Sequence, residues 1–536
     1  MKPTAYVLAA LVATALSAAA TARPVAKSSA LPISPDAIDR TAARAMQAFN
    51  VPGMAVGIIK DGKLIYGKGY GVREYGKAGS VDIDTLFQIG SNTKAFTAAA
   101  LALLVDEGKL RWDDKVIDYI PEFRMYDPYV TREFSIRDLL THRSGLGEGA
   151  GDLMFYPATD FSRAEIIHGL RYLKPVSSFR SKYDYDNLLY MVAGQIVAVV
   201  SGQSWEDFVT QRILDRLQMK ACAASYGRIA DRSNVATPHV MVGGKLIPIK
   251  PLQLTAIAPA GAISCNISGM AKWLQVQLDS GKTADGSQLF TPKRGAEMWS
   301  ANTVMPLNPA LAYLTHTRFK DYGLGWVVQD EFGYKRVSHT GAVPGTVTWV
   351  TMIPELRLGI VVLTNQQEDV AMEAVGNQIL DAYVGAPKRD WIQIAVAYKD
   401  KQMGESKAIE AEAAKVGAAA GPPPLPLSAY AGHYRDSWRG DAEVRQEGGK
   451  LVLKISRTQD LVGSMTPFRG NIFIVRWNDR SLDADAYVRF SQGYEQEIDG
   501  MTMRAISPLT DSSFDFQDLN FKKVQEDPKP RTQNLR

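Results

Sequence analysis

In the segment Gly90-Ser91-Asn92-Thr93-Lys94 a serine precedes a lysine by three positions. Three residues is nearly one helical turn, so on a helix the two side chains leave the same face. A serine hydroxyl is a weak nucleophile until a base takes its proton. A lysine amine in a dry site sheds its charge readily enough to be that base. The pair alone says little, because helix-start serines ordinarily just cap, and Ser-x-x-Lys arises by chance about once or twice in a chain of this size and ordinary composition. Two further segments supply what the pair lacks. Tyr185-Asp186-Asn187 offers a phenol that can relay a proton and an amide that can orient a substrate carbonyl or Lys94. His339-Thr340-Gly341 closes a strand-like run. There His339 and Thr340 offer donors to an anionic group, and Gly341 permits a substrate backbone to approach.

These groups need elements to hold them. Residues 37–49 read as an amphipathic helix beginning beside Ser34-Pro35-Asp36. Residues 54–60 and 63–70 are β-rich runs joined by Asp61-Gly62, the strongest short hairpin signal. Residues 85–89 are strand-like, and from Ser91 the period changes. Phe96, Ala100, Leu101, Leu104 and Val105 then fall on one helical face until Gly108. Helical and loop segments run to about residue 310, after which 334–339, 346–353 and 358–363 are strand-like and 370–398 helical. The pattern predicts a sheet assembled from both ends of the domain with a helical insert between them. That is α/β (α+β) in class rather than an alternating doubly wound fold. Residues 406–416 are rich in Ala, Glu and Lys and lead into an Ala- and Pro-rich stretch, so 400–426 reads as a linker. Short alternating runs at 442–445, 451–455, 472–477, 486–490 and 501–505 then predict a small all-β barrel or sandwich.

In this order the three chemical segments resemble the class C β-lactamase and low-molecular-weight penicillin-binding protein family, a group of serine hydrolases that also holds esterases and D-amino-acid peptidases. Supporting stretches are Leu86-Phe87-Gln88-Ile89-Gly90, Ile136-Arg137-Asp138-Leu139-Leu140-Thr141-His142-Arg143-Ser144-Gly145-Leu146 and Pro259-Ala260-Gly261-Ala262. The resemblance spans about residues 35–390, and the final β region is similar to the lipocalin-like domain often appended to such hydrolases. It implies a β-lactamase/transpeptidase-like fold with an antiparallel sheet and a helical subdomain. The expected divisions are a signal peptide at 1–22, a hydrolase domain at 23–399, a linker at 400–426 and a lipocalin-like β domain at 427–536. Carried across, Ser91 is the acylated nucleophile, Lys94 its base, Tyr185 the proton shuttle and Asn187 a substrate-positioning group. The backbone N–H groups of Ser91 and Ala342 form the oxyanion hole, while His339, Thr340 and Gly341 line the substrate. Lys94 and Tyr185 are expected to titrate as a coupled pair, with the first proton acceptor left open between them. His142 matches a structural residue of the family and carries no chemistry. One departure matters: typical β-lactamases of this family have Lys-Thr-Gly where this chain has His339-Thr340-Gly341. A histidine is mostly neutral above about pH 7, so anchoring of a β-lactam carboxylate should be weaker or pH-dependent. The resemblance therefore implies a peptidase or esterase acting on small or D-amino-acid-containing substrates, ahead of a β-lactamase or a non-turnover sensor of peptidoglycan fragments.

The rest of the chain bounds these readings. Its 536 residues exceed one typical domain, and 61 basic against 57 acidic residues leave a net charge of only +4. No dense basic cluster grips phosphates, so nucleic acid is not an expected partner. The expected partner is a small-molecule or peptide substrate, peptidoglycan-derived fragments included, and the oligomeric state stays open. Lys2, the apolar residues 5–20 and Ala20-Thr21-Ala22 predict a secretory signal, hence an exported protein, periplasmic or secreted, without a stable membrane span after cleavage. No H-E-x-x-H and no zinc-spaced His/Cys set occurs, so neither metal nor organic cofactor is expected. No Gly-x-Ser-x-Gly elbow occurs either, which disfavours an α/β-hydrolase. Cys222 and Cys265 could form a disulfide or stay as buried thiols. Specificity is expected in the loops at 147–182 and 305–320. The terminal barrel is expected to shield the cleft or mediate assembly in preference to binding an apolar ligand.

Overall fold

Asp61 and Gly62 both take left-handed backbone (φ 50° and 77°), the geometry of the tight turns that match strand twist. They fold Gly53–Lys60 back onto Lys63–Gly71. The computed structural model describes residues 32–524; the leader expected at 1–22 lies outside the described residues. Before the hairpin runs the helix Pro35–Phe49, with Pro35 in its first turn and the Ser34 hydroxyl accepting the Ala37 N–H.

Gly53–Lys60 takes its second partner from the other end of the domain, with Met54 opposite Thr364 in the antiparallel strand Leu358–Thr364. The eight-stranded sheet continues through Thr346–Ile353, Tyr334–Val343, Val327–Glu331 and Lys320–Tyr322 to the short edge strand Thr303–Val304. Pro35–Phe49, Asp369–Val384 and the start of Trp391–Ala418 cover one face, packing Ile38, Phe49, Val375, Leu380 and Trp391 on Val56, Trp349 and Val362. The helical insert covers the other face. The sheet is thus built from both ends of the domain, as the run of sequence signals predicts.

The helix after Ser91 differs from its one-faced expectation. Residues 93–104 of Thr93–Asp106 are all buried, because the helix runs through the centre of the domain and is enclosed on every side. Alanines at 95, 98, 99, 100 and 102 let its neighbours close in around it. The strand expected at 85–89 reduces to Phe87–Gln88, paired with Ser264–Cys265. Cys265 on that ribbon forms a disulfide with Cys222, which resolves the alternative left open above.

Residues expected as linker are largely helical: Trp391–Ala418 is one helix of 28 residues, and the non-helical connection is confined to about 419–426. Ala, Glu and Lys are strong helix formers, and the helix docks Ser406 against Ser507 of the barrel, the two hydroxyls 2.6 Å apart. The barrel itself is closed, with eight antiparallel strands from Gly432–Asp436 to Asn520–Val524, the last pairing with the first. Tyr430, Tyr434, Phe473, Phe490, Trp477 and Phe521 are all buried in its core. A core packed with aromatic rings fits a structural barrel rather than a ligand-holding one.

Candidate active site

The chain reaches Ser91 through Gly90, whose backbone is left-handed (φ 52°). A Cβ on Gly90 would stand 2.6 Å from the Ala342 nitrogen, and one on Gly341 would stand 1.9 Å from the Ile89 carbonyl oxygen. Both positions therefore have to be glycine for the Ser91 turn to lie against the strand Tyr334–Val343. Gly341 was expected to admit a substrate; the space it frees is taken by the Ser91 turn itself. Thr348 secures the junction by donating to the Ile89 carbonyl at 2.9 Å and accepting from Asn92 Nδ2 at 2.8 Å.

Ser91 Oγ accepts a hydrogen bond from Lys94 Nζ at 3.0 Å. The same ammonium donates to Asn187 Oδ1 at 2.7 Å and to the Ala260 carbonyl at 3.0 Å. Lys94 is completely buried, and burial pulls its pKa down to about 7, against the opposing pull of Asp152 and Asp186. Its neutral form is thus well populated at neutral pH. Tyr185 presents its hydroxyl to Ser91, and burial pushes that phenol well above its ordinary range. The Lys94 nitrogen also lies 4.7 Å from the centre of the Tyr185 ring.

Tyr185 and Asn187 sit just before the helix Leu188–Ser201. The residue between them, Asp186, accepts the Leu189 N–H at 3.1 Å, and its own N–H donates to His142 Nδ1 at 3.1 Å. His142, held in left-handed backbone, thus fixes the loop and packs its ring against Tyr185 and Tyr322. Asn187 in turn donates from Nδ2 to Asp152 Oδ2 at 2.7 Å.

His339 Nδ1 lies 2.5 Å from the Thr340 carbonyl, and Tyr322 Oη lies 2.8 Å from Nε2. A carbonyl only accepts, so Nδ1 carries the proton, while the Tyr322 hydroxyl can donate to Nε2 or accept from it. Burial pushes the imidazole down to about 3, helped by repulsion from Lys94. That shift favours the neutral ring, the weaker-anchoring case of the two expected at this position. Thr340 and Ala342 are exposed toward the cleft. Residues 334–338 pair with the strand Val327–Glu331, while 339–343 extend past it with that edge free. A free edge beside the nucleophile can bind an extended substrate by backbone hydrogen bonds.

Two arms meet at Ser91. A narrow one of about 70 Å³ is lined by Phe155, Tyr156, Leu252, Leu254, Ile257 and Val343. The other, of about 840 Å³, runs past Tyr185, His339 and Thr340 to Arg336, Glu373 and Asn377. Ser91, Asn187 and Ala342 line both, and so do Asp511 and Ser513 from the C-terminal barrel. The loops at 147–182 and 305–320 contribute, through Glu148, Lys182, Met305 and Leu311 among others. Asp152, Tyr322, Asp511, Ser513 and Asp515 escaped the sequence reading. The only hint lay in apolar Phe514 and Phe516 within a long turn-rich connection, an odd composition for a loop bathed in solvent.

A serine at a buried helix start, a lysine and a tyrosine around its hydroxyl, and an antiparallel sheet edge beside it match a serine hydrolase of the β-lactamase-related type. The Beta-lactamase family matches residues 38–383, and the chain belongs to it. A domain of unknown function, DUF3471, matches residues 417–523. An unguisins hydrolase of Aspergillus campestris is 29% identical over 413 residues, 73% of each chain. Penicillin-binding protein 4 of Amycolatopsis lactamdurans is 27% identical over 320 residues, 59% of this chain and 81% of the relative. The solved structure of an octameric penicillin-binding protein homologue from Pyrococcus abyssi shares the fold with a TM-score of 0.58 at 20% identity, covering 92% of this chain and all of the other.

Proposed function

We propose that the protein is an exported hydrolase that forms an acyl-enzyme on Ser91 and acts as a peptidase or esterase on small amide or ester substrates, D-amino-acid-containing ones included. The observation that carries the reading is the Lys94 ammonium position: one nitrogen reaches Ser91, Asn187 and the Ala260 carbonyl in a site dry enough to hold it near neutrality. Neutral Lys94 takes the Ser91 proton as Oγ attacks the carbonyl. The backbone N–H groups of Ser91 and Ala342 receive the developing oxyanion. Tyr185, which stays protonated, hands a proton to the departing amine or alkoxide and recovers it through Lys94. Water then attacks the ester with the same groups reversed. This assigns the first proton to Lys94, the question that residue types alone leave open.

The substrate class follows from charge and size. With His339 neutral, the end of the strand beside Ser91 offers no cation to a substrate carboxylate, which weighs against dedicated β-lactam hydrolysis. Along the wide arm, Lys182 is paired with Asp184 at 2.8 Å and Arg336 with Glu331 at 2.6 Å. Lys320, which has no ion-pair partner among the described residues, lines it too, against Glu148, Asp369, Glu373 and Asp511. Such a channel suits a neutral or amine-bearing group, and the narrow apolar arm suits a small side chain. A relative named an unguisins hydrolase agrees with a hydrolytic activity. Export is supported by the apolar residues 5–20 and by the disulfide between Cys222 and Cys265, a bond that persists in oxidising compartments.

The deciding experiment follows the intact mass of the protein mixed with a penicillin, then with D-alanine amides and esters, using Ser91→Ala as control. An acyl adduct on Ser91 with release of the amine or alcohol is expected from the small substrates, and slow or negligible turnover of the penicillin. Rapid penicillin turnover with inert amides and esters would replace this reading with a β-lactamase. The pH profile is a separate check. With Lys94 needed neutral, kcat/KM should rise through about pH 7 and level off. Tyr185, displaced upward, should add no falling limb before the protein itself unfolds in alkali. An acid limb that persists unchanged in Lys94→Met would rule out Lys94 as the titrating base.

A further inference from the structure

The connection 506–519 leaves the barrel between the strands Ile498–Ala505 and Asn520–Val524 and enters the catalytic domain. Asp515, fully buried, accepts the N–H of Gly151 at 2.6 Å and of Leu153 at 3.1 Å, the residues on either side of Asp152. Ser513 Oγ donates at 2.9 Å to Asp152 Oδ2, the same oxygen that accepts from Asn187. Backbone meets backbone here as well: a Cβ on Gly149 would stand 2.3 Å from the Ser512 carbonyl oxygen. The rings of Tyr156 and Phe514 pack with centroids 5.0 Å apart. At the rim of this junction Arg457 of the barrel bridges Asp160 and Glu165 at 2.6 and 2.7 Å.

Asp152 is fully buried, and its other oxygen has no partner. A buried carboxyl is costly unless its contacts hold something in place. Its contacts form one chain: Ser513 to Asp152, Asp152 to Asn187, Asn187 to Lys94. We propose that Ser513 and Asp515 of the C-terminal barrel are positioning residues of the hydrolase, fixing Asp152 and through it the Asn187 carbonyl that holds Lys94. The active site is therefore completed by a segment 361 residues away in sequence, and the barrel is part of the catalytic machinery. This rests on Lys94 being the base proposed above.

Loss of the Ser513 hydroxyl has two consequences for Lys94, and both have the same sign. Burial already holds the Asp152 carboxyl well above the usual carboxylate range, and losing a donor that favours its ionised form raises it further, which weakens its pull on the ammonium. Asn187, less firmly held, also becomes a poorer acceptor. Each lowers the Lys94 pKa further below its value of about 7. A connection that merely fills space would leave that titration unmoved.

The test uses the full-length chain as wild type, Ser513→Ala and Ser513→Thr, the last keeping the hydroxyl. One readout is the rate of Ser91 labelling by a fluorophosphonate across pH. The other is the Lys94 resonance in protein carrying ε-13C lysine, assigned by its loss in Lys94→Met. Ser513→Ala is expected to label about tenfold more slowly, the size of one lost hydrogen bond to a charged group, with the Lys94 midpoint moved to lower pH. Ser513→Thr should restore most of both. Unchanged rate and midpoint in Ser513→Ala overturn the proposal, and slowed labelling with an unmoved midpoint overturns it in favour of simple packing. If wild type does not label at all, the Ser91 reading falls. The resonance then still decides the role of Ser513.

Discussion

Ser91→Ala should lose hydrolysis of every substrate by about 10⁴-fold or more while folding and binding as before. The size follows from what is removed. Lys94, Tyr185 and the two backbone donors remain in place, but no atom is left to form the covalent intermediate. Stability should be close to wild type, because the Ser91 side chain is half-exposed and Lys94 keeps Asn187 and the Ala260 carbonyl. Thermal unfolding and ligand binding by calorimetry, run beside the hydrolysis assay, separate loss of chemistry from loss of fold. Hydrolysis at the wild-type rate would remove Ser91 from the mechanism altogether.

Gly341→Ala should also be strongly damaging, for a different reason. The added carbon would sit 1.9 Å from the Ile89 oxygen and 2.6 Å from Thr348 Oγ1. Gly341 is held opposite Thr348 within the sheet, so the strand cannot step aside. The Ser91 turn must then retreat, breaking the bonds that Thr348 makes to Ile89 and Asn92. Overpacking of this kind costs about 1–3 kcal/mol. A nucleophile displaced by about 1 Å loses on the order of 10²-fold in rate. The expected outcome is a drop of that size in kcat/KM with a lowered unfolding midpoint. Gly404→Ala, in a helix with open space around it, is the matched control: it should leave kcat/KM unchanged and raise the unfolding midpoint slightly, if it moves it at all. A Gly341→Ala enzyme of full activity would show that the turn and strand are not in the contact described.

Ser91, Lys94, Tyr185 and Asn187 were legible because their chemistry depends on residue type at short spacing, and a helix start or a turn brings such neighbours together without help. The sheet was legible from its alternating runs and turn dipeptides, down to its assembly from both ends of the domain. What escaped depends on meetings across the chain. Nothing in the order of residues marks Asp152 and Ser513 as partners, and a serine in a turn-rich loop looks like solvent-facing filler. His339 is a different case. Its type leaves weak or pH-dependent anchoring open, and burial, which residue order does not show, favours the neutral ring. The segment before the barrel misled because Ala, Glu and Lys serve linkers and helices alike, and contact with the barrel surface decides between them.

The barrel connection also has a consequence in time. Gly53–Lys60 cannot complete its pairing until Leu358–Thr364 has been made, and Asp152 has no complete set of partners until Ser513 and Asp515 emerge. Contacts this distant in sequence form late and slowly. A ribosome-bound chain therefore carries Ser91 and Lys94 for most of its synthesis without the full set of contacts around them. On the proposed mechanism the site would be complete only once nearly the whole chain is present and folded.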